Sequence, residues 1–135
     1  MIKKIEHIGI AVENPQKSNE IFEKLFGETS YKSELVESEG VKTYFYQLGE
    51  SKIELLEAVK GNSPIKKFIT KRGQGMHHIA FYVDDIHLEL DRLTNLGFEP
   101  IGGIKEGADN KLICFIHPKT TGGVLIELCQ EQGQL

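Results

Sequence analysis

The 135-residue sequence has only two cysteines and no tryptophan. Cys114 and Cys129 lack the close CxxC spacing of a metal or redox motif, so we interpret both as small, buried, apolar residues. Two cysteines are too few for a disulfide framework, and the chain opens without the long apolar run of a secretory signal. The sequence therefore predicts a reduced, cytoplasmic setting.

Long hydrophobic runs and an excess of positive charge are also lacking. No segment is apolar over the roughly 20 residues that a membrane-spanning helix needs. The formal net charge is -4, whereas nucleic-acid-binding proteins usually carry a basic stripe that neutralises phosphates. The sequence therefore predicts neither a membrane nor a nucleic acid as a partner.

What is present is a short pattern that occurs twice. The stretch from Lys4 to Asn14 and the stretch from Gly75 to Asp85 both read His, Ile, small residue, apolar residue, any residue, Val, acidic residue. Such a period indicates a duplicated structural unit. A unit of about 60 residues is only marginally stable alone, so we predict that both copies share the core of a single domain, residues 1–135.

Each copy is predicted to fold as a strand, a helix and three further strands. Module one covers about residues 1–60, a linker helix about 63–73, and module two about 75–130. Polar caps at Asn14, at Ser63 and at Asp84–Asp85 predict where the three helices begin. The middle strand of the second copy is faint. Pro100 to Gly107 is interpreted as loop-rich, because its three glycines give backbone freedom that a lid or a loop beside a ligand could use.

Each copy also carries one histidine on its first strand and one glutamate on its last. Glu54 follows His7 by 47 residues, and Glu127 follows His78 by 49. If the copies pack about a pseudo-twofold axis, the four side chains converge. Two imidazoles and two carboxylates bind a divalent ion and leave coordination positions open. We therefore predict one metal site, with Co, Mn, Zn, Ni or Mg as its ion.

Two further histidines need separate interpretations. His77 aligns with Glu6 of the first copy, so the repeat selects its neighbour His78 as the ligand. His117 follows the strand that ends at Ile116, and we predict that it lines the mouth of a pocket.

Several longer motifs resemble the methylmalonyl-CoA epimerase family of the vicinal oxygen chelate superfamily, which also includes glyoxalase I, extradiol dioxygenases and bleomycin-resistance proteins. The motifs are KIELLE at 52–57, SPI at 63–65, GMHHIA at 75–80, FIHPK at 115–119 and GGVLIEL at 122–128. The resemblance spans nearly the whole chain. It implies an α+β fold in which two tandem βαβββ modules form a cup-shaped, partly open, eight-stranded mixed sheet with the helices outside.

The same resemblance implies a metal-dependent epimerase that moves the proton at C2 of methylmalonyl-CoA through a stabilised enolate. The ligands would be His7, Glu54, His78 and Glu127, with Glu127 also acting as catalytic acid and base. His117, Lys119 and Lys111 would bind the coenzyme A thioester. A homodimer is expected, as in many members of the family.

One position departs from the family pattern. Some members have a second carboxylate where this chain has Thr43, which cannot act as a base, so a one-base route or a water molecule stays open. Two alternative functions also stay open: a glyoxalase I-like lactoylglutathione lyase, and a metal-free resistance protein that binds a small molecule. Extradiol dioxygenases are usually longer and use three ligands.

Overall fold

The computed structural model describes residues 1–133. The chain divides into two compact units: Ile8–His77, here called the middle unit, and Met1–His7 together with the residues from His78 onward, here called the terminal unit. The longest helix has 12 residues, and none of the described helices has the length and hydropathy to cross a membrane.

The order of helices and strands repeats as the sequence predicts. The strands are β1 Ile2–Val12, β2 Lys32–Val36, β3 Val41–Leu48, β4 Ser51–Ala58, β5 Gly75–Val83, β6 Pro100–Glu106, β7 Lys111–Ile116 and β8 Ile126–Glu131. The helices are α1 Pro15–Phe26, α2 Pro64–Arg72 and α3 Ile86–Asn95, with short 3-10 turns at Ala108–Asn110 and Pro118–Thr120. The predicted fold class, α+β with two βαβββ modules, is confirmed.

The three helices begin at the predicted caps. The Asn14 side chain accepts a hydrogen bond from the backbone N–H of Lys17 at 3.1 Å, and the Ser63 hydroxyl does the same for Lys66 at 3.1 Å. The Asp85 carboxylate accepts two backbone N–H groups at 3.1 Å each. Each cap satisfies donors that have no partner inside the helix, which is why these short segments are helical.

In the middle unit, β3 pairs antiparallel with β2 on one side and β4 on the other. Helix α1 packs on the sheet face that holds Leu55 and Tyr46. Helix α2 packs on the opposite face, where Ile65 contacts the cluster around Leu56. That second face also carries Glu54, because side chains alternate along a strand.

In the terminal unit, β8 lies between β5, to which it is parallel, and β7, to which it is antiparallel. Helix α3 covers one face, where Ile86 packs against Val83 and Leu128. The opposite face has a smaller cluster around Ala80 and Cys129. Cys114 and Cys129 are both buried thiols, as predicted. The strand alternation thus leaves one face of β5 and β8 without a covering helix from this unit.

The predicted third strand of the second copy is present, but the loop-rich interpretation of Pro100 to Gly107 was wrong, because most of that segment is strand β6. The strand pairs with β7, and its register shifts between Ile101 and Lys105. Gly102 sits inside that shift with φ of 66°, a conformation that glycine adopts without strain. The glycines therefore mark an irregularity within an edge strand.

Candidate active site

Three buried side chains of the terminal unit meet at one point. His7 comes from β1, His78 from β5 and Glu127 from β8. The two histidine Nε2 atoms are 3.0 Å apart. Glu127 Oε1 lies 3.0 Å from His78 Nε2 and 3.6 Å from His7 Nε2. Each of the three residues is 6% exposed, so the cluster is well shielded from bulk water.

The strand pairing of the terminal unit explains part of this convergence. Ala80 lies beside Glu127 in the parallel pair of β5 and β8, and His78 is two residues before Ala80, on the same face. Phe115 lies directly across from Glu127 in the antiparallel pair of β7 and β8. Its ring meets the His78 ring edge to face, with centroids 5.6 Å apart. Phe115 therefore forms an apolar wall against the imidazole.

Phe115 is a site residue that the sequence reasoning missed. The first copy has the same arrangement, since Phe45 lies directly across from Glu54 in the pair of β3 and β4. A phenylalanine opposite each predicted glutamate is a second repeated feature of the chain. It is visible only once the strand register is known, because the two phenylalanines stand at different distances from their glutamates along the sequence.

The histidines control the charge of Glu127. Burial raises the pKa of its carboxyl group, but the nearby imidazoles of His7 and His78 outweigh burial and lower that pKa below its ordinary range. The group is therefore an anion near neutral pH. An anionic oxygen and two imidazole nitrogens form a mixed donor set of the kind that binds divalent ions.

The spacing of these three donors fits one metal ion. Bonds of about 2.1 Å from an ion to nitrogen or oxygen separate neighbouring ligand atoms by about 3.0 Å in octahedral geometry and about 3.4 Å in tetrahedral geometry. The measured separations between the three ligand atoms are 3.0, 3.0 and 3.6 Å. The donors thus lie as they would around a common ion.

Glu54, the fourth predicted ligand, lies on β4 in the middle unit and is 5% exposed. The structure brings three of the four predicted ligands together within the terminal unit. The role of Glu54 as a ligand stays a prediction.

The three predicted substrate-binding residues lie in or just after β7. The His117 ring accepts the backbone N–H of Lys119 at its Nδ1, over 3.1 Å, so a neutral ring carries its proton on Nε2 and offers a donor there. Lys119 is exposed, and its ammonium group pairs with a carboxylate oxygen of Glu99 at 3.0 Å. Lys111 is 7% exposed, and its ammonium lies 3.5 Å from a carboxylate oxygen of Asp109. Their contact with a substrate stays a prediction.

Two other positions agree with the way the repeat was interpreted. The ring of His77 packs edge to face against Phe68 of α2, with centroids 4.9 Å apart, so this histidine has a partner in the middle unit. Thr43 is 2% exposed, and the register of β2 and β3 places Glu34 directly across from it. Position 43 is therefore a buried threonine with a glutamate across from it on the neighbouring strand.

The family comparison agrees with this geometry. Residues 6–115 match the model of the Glyoxalase/Bleomycin resistance protein/Dioxygenase superfamily. The mitochondrial methylmalonyl-CoA epimerase of Dictyostelium discoideum is 38% identical, over 94% of this chain and 78% of that protein. The chain belongs to the methylmalonyl-CoA epimerase family of this superfamily. It is accordingly an enzyme of the epimerase class.

One further relative and two solved structures extend the comparison. The uncharacterized protein YqjC of Bacillus subtilis is 37% identical, over 98% of this chain and 95% of that protein. The crystal structure of a hypothetical protein from Bacillus halodurans has a TM-score of 0.93 at 38% identity, covering 98% of this chain and 96% of the other. The Streptomyces coelicolor methylmalonyl-CoA epimerase in complex with 2-nitronate-propionyl-CoA has a TM-score of 0.91 at 28% identity, covering 98% of this chain and 100% of the other.

Proposed function

We propose that this protein is a metal-dependent methylmalonyl-CoA epimerase, which inverts C2 of a coenzyme A thioester. The observation that carries the proposal is the buried cluster of His7, His78 and Glu127, whose donor atoms lie 3.0 to 3.6 Å apart. The epimerase relatives support the same reaction class.

The chemistry requires help because a proton between a carboxylate and a thioester is only weakly acidic. A divalent ion bound by the cluster supplies Lewis-acid stabilisation of negative charge on the substrate oxygens. His7 and His78 hold that ion as neutral nitrogen donors. Glu54 is proposed as its fourth ligand, on the strength of the repeat.

Glu127 has two tasks in this proposal. Its Oε1 is the oxygen within reach of both imidazoles, so its other oxygen is the one proposed to take the proton from C2. The C–H electron pair then remains on the substrate as an enolate. Return of a proton to the opposite face of C2 gives the epimer, and either Glu127 itself or a water molecule supplies that proton, since Thr43 cannot.

Residues in and just after β7 are proposed to bind the coenzyme A part of the substrate. The Nε2–H of His117 is a hydrogen-bond donor whose tautomer is set by the Lys119 backbone contact. Lys119 and Lys111 supply positive charge, which suits the phosphates of coenzyme A. We also propose a homodimer, which sedimentation of the purified chain tests directly.

The test is solvent exchange at C2. One enantiomer of methylmalonyl-CoA is incubated in deuterated water with protein that has been stripped of metal and then reloaded with Co²⁺ or Mn²⁺. We expect the other enantiomer to form with deuterium at C2, and only the reloaded protein to be active. If no metal-reloaded sample exchanged the C2 proton with solvent, the proposal would be wrong.

A glyoxalase I-like activity is the alternative within the superfamily. It would act on the hemithioacetal of glutathione and a 2-oxoaldehyde, through a similar proton transfer. Assaying the same metal-loaded samples with both substrates separates the two. Turnover of the hemithioacetal without exchange of methylmalonyl-CoA would favour the alternative.

A further inference from the structure

A second carboxylate contacts the cluster of His7, His78 and Glu127 through the far nitrogen of the His7 ring. Glu6 directly precedes His7 in β1, and its Oε1 accepts a hydrogen bond from His7 Nδ1 at 2.8 Å. Glu6 is 5% exposed and His7 is 6% exposed. A buried carboxylate is costly unless hydrogen bonds or positive charge compensate for lost water. A buried carboxylate beside His7 therefore needs an explanation in terms of what it does for His7.

The contact with Glu6 fixes the proton of the His7 ring. A neutral imidazole has one N–H group, and donation of Nδ1–H to Glu6 makes Nε2 the lone-pair nitrogen. That Nε2 is the atom 3.0 Å from His78 Nε2 and 3.6 Å from Glu127 Oε1. Glu6 therefore aims the correct nitrogen of His7 at the position where a metal would bind.

The charge of Glu6 fits the same purpose. An ionised Glu6 would add negative charge beside the position of a divalent ion, in addition to the charge of Glu127. A hydrogen-bonded carboxylate also makes the histidine a stronger donor to a metal. We infer that Glu6 is a positioning residue that orients His7 and raises the affinity of the site for a divalent ion. This inference rests on the proposed metal-dependent function.

The inference is tested with Glu6→Gln, which keeps an oxygen acceptor but removes the charge, and Glu6→Leu, which removes both. Apo protein is titrated with Co²⁺ in a calorimeter, the visible spectrum of the bound ion is recorded, and release to a chelator is timed. We expect the Co²⁺ affinity to fall about 10- to 100-fold in Glu6→Gln and further in Glu6→Leu, with faster release. Glu6→Asp should recover part of the loss.

Glu89→Gln is the matched control, because it neutralises another buried carboxylate of the terminal unit, on α3. It should leave Co²⁺ affinity within about twofold of the wild type. Wild-type affinity, release rate and spectrum in both Glu6→Gln and Glu6→Leu would overturn the inference and leave the proposed function standing. A wild-type chain that binds no Co²⁺ would overturn both. Loss of folding in the metal-free Glu6→Gln and Glu6→Asp proteins would assign Glu6 a structural role instead.

Discussion

The two copies of the repeat have kept the same donors and changed the residues beside them. Each copy has a histidine on its first strand, and each has a glutamate that lies directly across from a phenylalanine, Phe45 in the first and Phe115 in the second. In the first copy the residue before the histidine is Glu6, which bonds to it. In the second copy that residue is His77, which packs against Phe68 of α2.

The helices that follow the first strands differ in a comparable way. Ser18 and Glu89 both donate their backbone N–H to the capping residue four positions earlier, Asn14 and Asp85, at 3.0 Å. Both are buried, yet one is a small hydroxyl and the other a carboxylate bonded to Arg92. The two copies thus share the residue types proposed as ligands and the phenylalanine across from each glutamate, and they differ at the residue before each histidine and at this helix position.

The largest expected effect is on the rate of C2 exchange, where replacement of Glu127 should be far more damaging than replacement of Glu54. Glu127→Gln removes a ligand and the proposed acid/base group, so we expect C2 exchange to fall at least about 1,000-fold. Glu54→Gln should weaken Co²⁺ binding but leave residual exchange when the ion is present in large excess. Exchange rates measured by mass spectrometry over a range of Co²⁺ concentrations check this. If both variants lost C2 exchange equally and excess Co²⁺ restored neither, the proposed difference between Glu127 and Glu54 would be wrong.

Replacement of either histidine, His7 or His78, should lower Co²⁺ affinity to a similar extent. His7→Ala and His78→Ala each remove one nitrogen donor, and we expect each to lower Co²⁺ affinity by more than about 100-fold, beyond the range for residues that only support a ligand. Calorimetric titration of both variants measures this. Full Co²⁺ affinity in either variant would contradict the proposed site.

The residues that precede the two histidines, Glu6 and His77, should differ in their effect on Co²⁺ affinity. His77→Asn removes a ring that contacts Phe68 and no proposed ligand, so we expect Co²⁺ affinity within about twofold of the wild type. Glu6→Gln, described above, should lose at least about tenfold. The two variants are titrated in parallel. A weakened His77→Asn site would mean that both preceding residues support the metal.

The smallest effect concerns stability. Hydrogen bonding to Arg92 lowers the pKa of Glu89 from its ordinary value of 4.5. A carboxylate with a lowered pKa stabilises the fold above that ordinary value, and the stabilisation is lost as the pH falls through the lowered pKa. Glu89→Ser, which copies Ser18, should therefore lower the free energy of unfolding by about 1–3 kcal/mol at pH 7, and by less at pH 3.

Denaturant unfolding at the two pH values measures that difference. A deficit of the same size at pH 3 and pH 7 would show that the ionised Glu89 carboxylate is not its source. Ser18→Ala is a suitable comparison, because it alters the equivalent helix position without changing an ionisable group.

The sequence predicted most of the fold because its signals are local. Caps such as Asn14 and Asp85 and the repeated first strand depend on neighbours within a few residues. Strand β6 was missed because its glycines suggest a loop, and only pairing with β7 makes the segment a strand. The strand propensity of a segment does not include the contribution of a pairing strand that is distant in sequence.

The site was predictable to the extent that it repeats. His7, His78 and Glu127 were found because two copies carry the same residue types, and the structure brings these three together. Glu6 was not found, because it has no counterpart in the second copy. Phe115 was not found, because its relation to Glu127 is a matter of strand register.

The three clustered donors have a consequence for the order of synthesis. His7, His78 and Glu127 are made in that order, and 120 residues separate the first from the last (127 - 7). A growing chain on the ribosome therefore cannot present the complete donor set until β8 has been made and has paired with β5. Metal capture would then mark the end of folding, and contacts between such distant residues form slowly. Once bound, the ion would link β1, β5 and β8, and the stability of the native state would rise with metal concentration.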